Sequence, residues 1–487
     1  MKQKALVVGS GVAGLAAAIR LAVKGYEVAV YEKNNYPGGK LTAFEQSNFR
    51  FDAGPSLFTL PELVDELFRI ANKNPRDYFN YKACEISCNY FFEDGQKLSF
   101  YADHNKLFQE IETKLKIDTS YLKKYLAKSK RIYESTEIAF LKQSLHDWKN
   151  YFTNAVVRCI KNIPYLNLTT TMHAANEKEL NHEKLIQIFD RYATYNGSNP
   201  YKAPGILNLI PHLELSLGSY FPTDGMHSIT NAMVKLAQEL GVQFNFNSEV
   251  QEIIIEKKEV KGIVVAKQLI ESTVVICNSD VKFAYTHLIH SPSKKNRYTS
   301  QEPSSSGCIF YWGINKTFPE LDLHNILFSN DYRHEFESIF NNNEVCNDPT
   351  IYINITSKKA INDAPANCEN WFVMVNVPYN SGQNWEEIRT NIRTVIIQKI
   401  NRVLKTSIEQ YILTENYLDP IKIEQNTSSF GGALYGASSN NRLAAFFRHP
   451  NFTPIKGLFF CGGSVHPGGG IPLCLNSAEI ATNYCQL

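Results

Sequence analysis

The chain has 487 residues, enough for two or three packed layers around a large core, and no part of it is of low complexity. Its 50 Lys and Arg stand against 48 Asp and Glu, a formal charge of +2, which excludes a global field drawing it to nucleic acid or to an acidic polymer. Aromatic residues make up 12% of the chain, 29 Phe and 26 Tyr among them, a composition that suits an aromatic core or, alternatively, an apolar tunnel.

Lys2 and Lys4 precede an apolar stretch much as in a secretory leader, but glycines interrupt the stretch and Arg20 follows with no cleavage-like end. The segment is therefore read as folded, and the 10 cysteines as reduced thiols of a cytoplasmic protein. Cys84 and Cys88 lack a second cysteine pair, so no metal site is expected. No run of about 18 uncharged apolar residues predicts a membrane span.

Lys4 to Val8 predicts a short buried strand, followed by Gly9-Ser10-Gly11-Val12-Ala13-Gly14 and then by the helical pattern Leu15, Ala18, Ile19, Leu21, Ala22. Strand, glycine turn and helix in this order build a dinucleotide site. Gly9 permits the turn, Gly11 lets a pyrophosphate approach the backbone, and Gly14 lets helix and strand touch, while Val12 and Ala13 open the helix toward the phosphates. A second strand, Glu27 to Tyr31, ends at Glu32, eighteen residues past Gly14, where a carboxylate can accept hydrogen bonds from a ribose diol; Lys33 lies beside it. Pro37-Gly38-Gly39-Lys40 then brings flexible backbone and a cation back toward the phosphates, and Phe51-Asp-Ala-Gly54-Pro55-Ser56 follows. This continuation resembles the glutathione-reductase-like flavoproteins of the amine oxidase and phytoene desaturase kind. The resemblance implies FAD as cofactor, with Glu32, Gly39, Lys40, Gly54, Pro55 and Ser56 among its contacts.

From about Leu57 to Tyr220 the pattern is mostly helical and amphipathic, as in Pro61 to Ile70 and Ser120 to Phe140, with no second glycine-rich phosphate loop. This predicts a substrate domain without its own NAD(P)H site, so electrons should pass to an external acceptor such as oxygen or a quinone. Trp148 to Leu168 mixes Trp148, Tyr151, Phe152, Val156, Val157, Ile160, Tyr165 and Leu166 with Lys149, Arg158 and Lys161. That composition fits a membrane interface, and it equally fits a surface helix with one buried face. After Phe221-Pro-Thr-Asp-Gly225-Met226 come a helix to Leu240 and strands around Val250 to Glu252 and Val260 to Val265; the resemblance implies that Val250 meets adenine. Val274 to Asn278 reads as a further strand returning to the nucleotide domain.

Near the end, Gly457 to Phe460 predicts a strand, followed by Cys461-Gly462-Gly463-Ser464-Val-His466-Pro467-Gly468-Gly469-Gly470-Ile471-Pro472 and a last helix to about Tyr484. Three glycines, Gly468 to Gly470, expose N–H groups and Pro472 stands in the first turn, making this a second anion-accepting helix start with Gly462, Gly463, Gly470, Ile471 and Pro472 as candidate cofactor contacts. His466, inside the turn, is read as a packing residue. The His-Pro-Gly-Gly-Gly-Ile-Pro run is similar to the carboxyl-terminal signature of the bacterial-type phytoene desaturase family. Within that family Phe189-Asp190-Arg191-Tyr192-Ala-Thr194-Tyr195-Asn-Gly197-Ser-Asn199-Pro200 resembles the hydroxycarotenoid 3,4-desaturases most. One departure is Cys461-Gly462-Gly463, where related flavoproteins often carry an acidic residue.

The fold expected is α/β: a glutathione-reductase-like FAD-binding Rossmann domain assembled from residues 1–70, 221–290 and 436–487, plus a mixed substrate domain with a helical part from 71–220 and 291–435. The activity implied is carbon–carbon desaturation at a 1-hydroxylated acyclic carotenoid end, by a cytoplasmic enzyme peripherally attached to the membrane surface that supplies its hydrophobic carotenoid. Asp190 or a water is the candidate proton acceptor, with Arg191 orienting Asp190 or the terminal hydroxyl; a plain Asp190–Arg191 ion pair is the other reading. Earlier-step phytoene desaturation is the alternative substrate. Amine and protoporphyrinogen oxidases share the nucleotide domain without the carboxyl-terminal run, and a non-enzymatic prenyl-binding protein of the same fold would need a tunnel and no flavin.

Overall fold

A computed structural model describes residues 2–290, 298–441 and 444–486. The chain is α/β with mixed sheets. Strand β1 (Lys4–Val8), helix α1 (Val12–Val23) and strand β2 (Glu27–Tyr31) begin a five-stranded parallel sheet. Its spatial order is Leu458–Phe460, Val275–Cys277, β1, β2, Gln243–Asn245. Two-residue periodicity explains why β1 is apolar from Ala5 to Val8. Ala5 and Val7 face α1 and helices His227–Glu239 and Ile471–Asn483, while Leu6 and Val8 face the antiparallel sheet formed by Val250–Glu256, Glu259–Val265 and Gln268–Glu271. A parallel strand covered on both faces has no side to spare for polar residues.

The second sheet has seven strands in the order Ile412–Leu418, Ser306–Ile314, Glu369–Val377, Ile351–Ile355, His324–Leu327, Ile86–Phe91, Lys97–Tyr101. All neighbours are antiparallel except His324–Leu327 with Ile86–Phe91. Alternation again sorts its faces. Phe310, Trp312, Val373 and Val375 pack on the long helix Trp385–Leu404, and Ile309, Tyr311 and Phe372 turn to the opposite side.

The first sheet thus takes its strands from residues 1–70, 221–290 and 436–487, and the second from 71–220 and 291–435. Of the expected boundaries, the one at 290/291 opens onto residues 291–297, outside the described ones. The stretch expected to be mostly helical does contain Glu62–Ile70 and Ser120–Thr136, but it also contributes Tyr81–Ala83, Ile86–Phe91 and Lys97–Tyr101 as strands. Ile86–Phe91 forms an antiparallel hairpin with Lys97–Tyr101, but on its other edge it pairs in parallel with His324–Leu327, far along the chain, a partner that local periodicity cannot reveal. Among the described residues, no helix is long and apolar enough to cross a membrane.

Candidate functional site

A cavity of about 1200 Å³ runs from the carboxyl ends of the parallel strands to the free face of the seven-stranded sheet. The carboxyl ends of parallel strands are where open α/β sheets bind ligands, because loops and helix starts converge there. Of the residues expected to contact the cofactor, Gly9, Gly11, Val12, Ala13, Glu32, Lys33, Gly39, Lys40, Gly54, Pro55, Ser56, Val250, Gly462, Gly463, Gly470, Ile471 and Pro472 all line it.

Gly14 does not line the cavity. It sits where a Cβ would collide with the Gly9 carbonyl oxygen, so its role is to let α1 lie against β1. Gly54 is likewise held against the Lys40 carbonyl, which fixes the 51–56 segment beside the 37–40 turn. Helix α1 starts at Gly11 and Ile471–Asn483 at Gly470, N-cap residues with no side chain to cap them. Both starts open on the cavity, and apart from Gly14 N, which Asn278 Oδ1 takes, first-turn N–H groups at two helix N-termini suit the two phosphates of a dinucleotide. The Glu32 carboxylate is buried at the end of β2, where its Oε2 accepts from Ser10 N and Oγ at 2.9 and 2.8 Å and its Oε1 from Asn34 N and Nδ2 at 3.0 and 2.9 Å. A ribose diol would engage it by taking the place of the Ser10 hydroxyl or the Asn34 amide. Burial pushes the Lys40 ammonium down to about 8, and it donates to the carbonyls of Ala433 and Leu434 at 2.9 and 2.8 Å. These residues fit a flavin dinucleotide.

Two groups at this end carried no sequence signal. Asn278 ends the strand Val275–Cys277, accepts from Gly14 N at 3.0 Å and donates to the Cys461 carbonyl at 3.0 Å, joining the two glycine turns. Arg448 is buried and donates to the carbonyls of Tyr435, Gly463 and Ala437, each at 2.9 Å. Where Cys461-Gly462-Gly463 lacks an acidic residue, the cavity wall instead carries Asp280, whose neighbour Val281 donates its N–H to Ser464 Oγ at 3.0 Å. His466 lines the cavity as well; its Nε2 meets the Gln143 carbonyl at 2.8 Å, and burial lowers its imidazole to about 4.

The far half of the cavity is mostly apolar, with Phe140, Ile206, Leu209, Ile309, Phe372 and Met374 in its walls. Asp190 is not in that lining. It ends the helix Glu183–Asp190 buried against His173 Nδ1 at 2.6 Å and Asn176 Nδ2 at 2.8 Å. Arg191, the next residue, opens a 3-10 turn and points elsewhere, donating to Tyr195 Oη and Tyr90 Oη at 2.8 Å each and lying 3.4 Å from Glu214 Oε1. Asp190 and Arg191 are therefore not each other's partners, which corrects the ion-pair reading and the reading in which Arg191 orients Asp190, because successive residues at the end of a helix leave it in different directions. The carboxylate that Arg191 meets at the cavity is Glu214, from the short helix Ile210–Leu215, which also accepts from Tyr192 at 3.2 Å and from Tyr195. The Arg191-Tyr192-Ala-Thr-Tyr195 run thus encircles one buried glutamate.

A second polar group stands near the 51–56 segment. His324 pairs directly with Asn354 across the antiparallel strands, and Tyr352, two residues along, shares that face. Tyr352 Oη lies 2.7 Å from Ser56 Oγ and 2.7 Å from His324 Nδ1. Asn354 Nδ2 donates to the same Nδ1 at 3.2 Å and to the Leu323 carbonyl at 2.9 Å. Burial lowers the His324 imidazole to about 3, with Arg191 among the charges that oppose its protonation. His324 and Tyr352 both line the cavity.

The model of the family described as flavin containing amine oxidoreductase matches residues 12–485. A 1-hydroxycarotenoid 3,4-desaturase from Flavobacterium sp. (strain P99-3) is 50% identical over 482 residues, 99% of this chain and 98% of that protein. A 4,4'-diapolycopene oxygenase from Methylomonas sp is 30% identical over 483 residues, 98% of this chain and 97% of the relative. The fold is that of cyclohexylamine oxidase from Brevibacterium oxydans, with a TM-score of 0.64 at 12% identity, covering 99% of this chain and 98% of that one.

Proposed function

Because the chain belongs to the flavin-containing amine oxidoreductases, and among them to the carotenoid desaturases and their oxygenase relatives, we propose that this FAD-dependent oxidoreductase desaturates the C3–C4 bond of a 1-hydroxylated acyclic carotenoid end. One observation carries the reading. A long apolar cavity holds a compact polar group, Arg191, Glu214 and Tyr195, as expected for a polyene with one polar terminus. In this reading the two helix starts, Glu32 and Lys40 belong to a Rossmann-like FAD-binding unit gathered from separated segments. FAD, when bound, supplies acceptance of a hydride. The chain's own part is to bind and orient: the apolar walls exclude water and hold the polyene extended, and Arg191 fixes the Glu214 carboxylate. Loss of hydride next to the polyene leaves a delocalised allylic cation, so the neighbouring proton needs only a weak acceptor. Glu214, a carboxylate on the cavity wall beside Arg191, takes in this reading the place earlier given to Asp190.

The membrane surface as partner is part of the same proposal. The cavity wall continues through Phe140, Leu141 and Leu145 to a segment in which Trp148 is 67%, Phe152 82% and Ile160 59% exposed, with Lys149, Arg158 and Lys161 at the surface beside them. Exposed apolar side chains interleaved with cations support attachment to an anionic lipid surface from which a water-insoluble substrate is collected. In this reading the enzyme works at the cytoplasmic face of a membrane.

The test is incubation of the flavin-loaded protein with lipid and a 1-hydroxylated acyclic-end carotenoid, and separately with phytoene, following the polyene absorption. A red shift with the hydroxylated substrate alone is the expected result. A shift with phytoene alone moves the protein to the earlier step, and a shift with neither sinks the reading.

A further inference from the structure

The hydrogen bonds around His324 have a direction. The Asn354 amide is oriented by its bond to the Leu323 carbonyl, so the nitrogen 3.2 Å from His324 Nδ1 is a donor. Nδ1 is therefore an acceptor. The Tyr352 hydroxyl, 2.7 Å away, then gives its hydrogen to Nδ1 and receives one from Ser56 Oγ, also at 2.7 Å. The order is Ser56 to Tyr352 to His324, and it puts the ring proton on Nε2. His324 is 3% exposed, and Nε2 has no hydrogen-bond partner. A buried N–H that borders a ligand cavity without a partner is an unused donor, and buried donors are rarely left so. Arg191, 6% exposed and on the same cavity wall, leaves its Nε unpaired too.

We propose that His324 is a specificity-determining residue that donates its Nε2–H to the oxygen of the hydroxyl group at the substrate's acyclic end. The inference rests on the desaturase reading given above. Its chemistry is tied to position: only C2 separates the hydroxyl-bearing carbon from the C3–C4 bond, so the hydroxyl must lie beside the reacting bond. His324 reaches the 51–56 segment, which the flavoprotein resemblance sets against the cofactor, through Tyr352 alone. The polar end of the cavity and its reacting end are thus the same place. An imidazole held neutral by burial keeps this donor unchanged across the ordinary pH range. An end group without the hydroxyl leaves the N–H unpaired and is disfavoured for that reason.

The experiment compares kcat/KM for a 1-hydroxylated acyclic carotenoid and for its counterpart lacking the hydroxyl, in the wild-type holoenzyme and in His324→Phe, His324→Gln and Tyr352→Phe. The expected result is that His324→Phe keeps its flavin and loses about tenfold or more of the preference for the hydroxylated substrate. His324→Gln, whose amide N–H can stand near the position of Nε2–H, restores part of it. Tyr352→Phe removes the hydroxyl that holds the tautomer and almost no volume, so it gives the same loss in weaker form and serves if His324→Phe does not fold. Wild-type turnover of the hydroxylated substrate tests the underlying reading separately, and its absence overturns both. If wild type turns that substrate over and the Phe variants discriminate as it does, the His324 assignment alone is overturned.

Discussion

At the scale of single residues, the buried charges beside the cavity depend on one another. Arg191 and Glu214 are both nearly inaccessible, with side chains 7% and 1% exposed, and three tyrosine hydroxyls complete their shell. Removing one member of such a pair leaves a charge in a poor solvent, a loss of about 3 kcal/mol or more, whereas removing both charges costs much less. Arg191→Ala is therefore expected to lower both thermal stability and turnover. Arg191→Met combined with Glu214→Gln should recover most of the stability and none of the turnover, as measured by thermal unfolding and by product formation. Glu214→Gln alone should leave flavin content unchanged and slow turnover by about a hundredfold, within the usual range for loss of a proton acceptor. Full activity in Glu214→Gln would remove it from that role. Asp190, fully engaged by His173 and Asn176, is expected to affect stability rather than rate.

At the scale of elements, the region from Trp148 to Tyr165 shows how an ambiguous composition resolves. A surface helix normally buries its apolar stripe, yet Asn154–Asn162 buries Cys159 and leaves Val157 and Ile160 outward, between the short 3-10 turns Trp148–Phe152 and Ile163–Tyr165. The apolar residues of the segment divide: Cys159 and Leu166 are buried, while Trp148, Phe152, Val157 and Ile160 face outward. If the exposed face meets lipid, Phe152→Asp with Ile160→Asp should reduce co-sedimentation with anionic vesicles about tenfold or more, with the unfolding temperature unchanged because neither side chain is packed inside. Equal vesicle binding by wild type and variant would reject the membrane proposal. The glycine turns were legible for the opposite reason: strand, turn, helix and second strand occupy one short contiguous stretch, and β1, α1 and β2 lie where the pattern predicts. The place of the strand Ile86–Phe91 in the large sheet was not legible, because beside its local hairpin partner Lys97–Tyr101 its other neighbour, His324–Leu327, comes from a distant part of the chain.

At the scale of the whole molecule, one cavity joins the carboxyl ends of the first sheet to the free face of the second, so cofactor and substrate share a space that neither sheet encloses alone. The chain carries one glycine-rich dinucleotide turn at its start and no second one, which is the basis for expecting an external electron acceptor. Under anaerobic conditions product should stop at about one equivalent per bound flavin, restart with an added quinone and not restart with NAD. Restart with NAD would contradict the external-acceptor proposal.

By itself the sequence determined the nucleotide turn, the family resemblance and the expectation of a hydrophobic substrate, because each is written in contiguous residues whose conformations are set by local sterics and short-range patterning. The tertiary structure decided that Glu214 and not Asp190 faces the cavity, where Arg191 points and why His324 holds an unused donor. Those outcomes depend on sheet register and on helix ends meeting across long stretches of chain, and no spacing along the sequence encodes them.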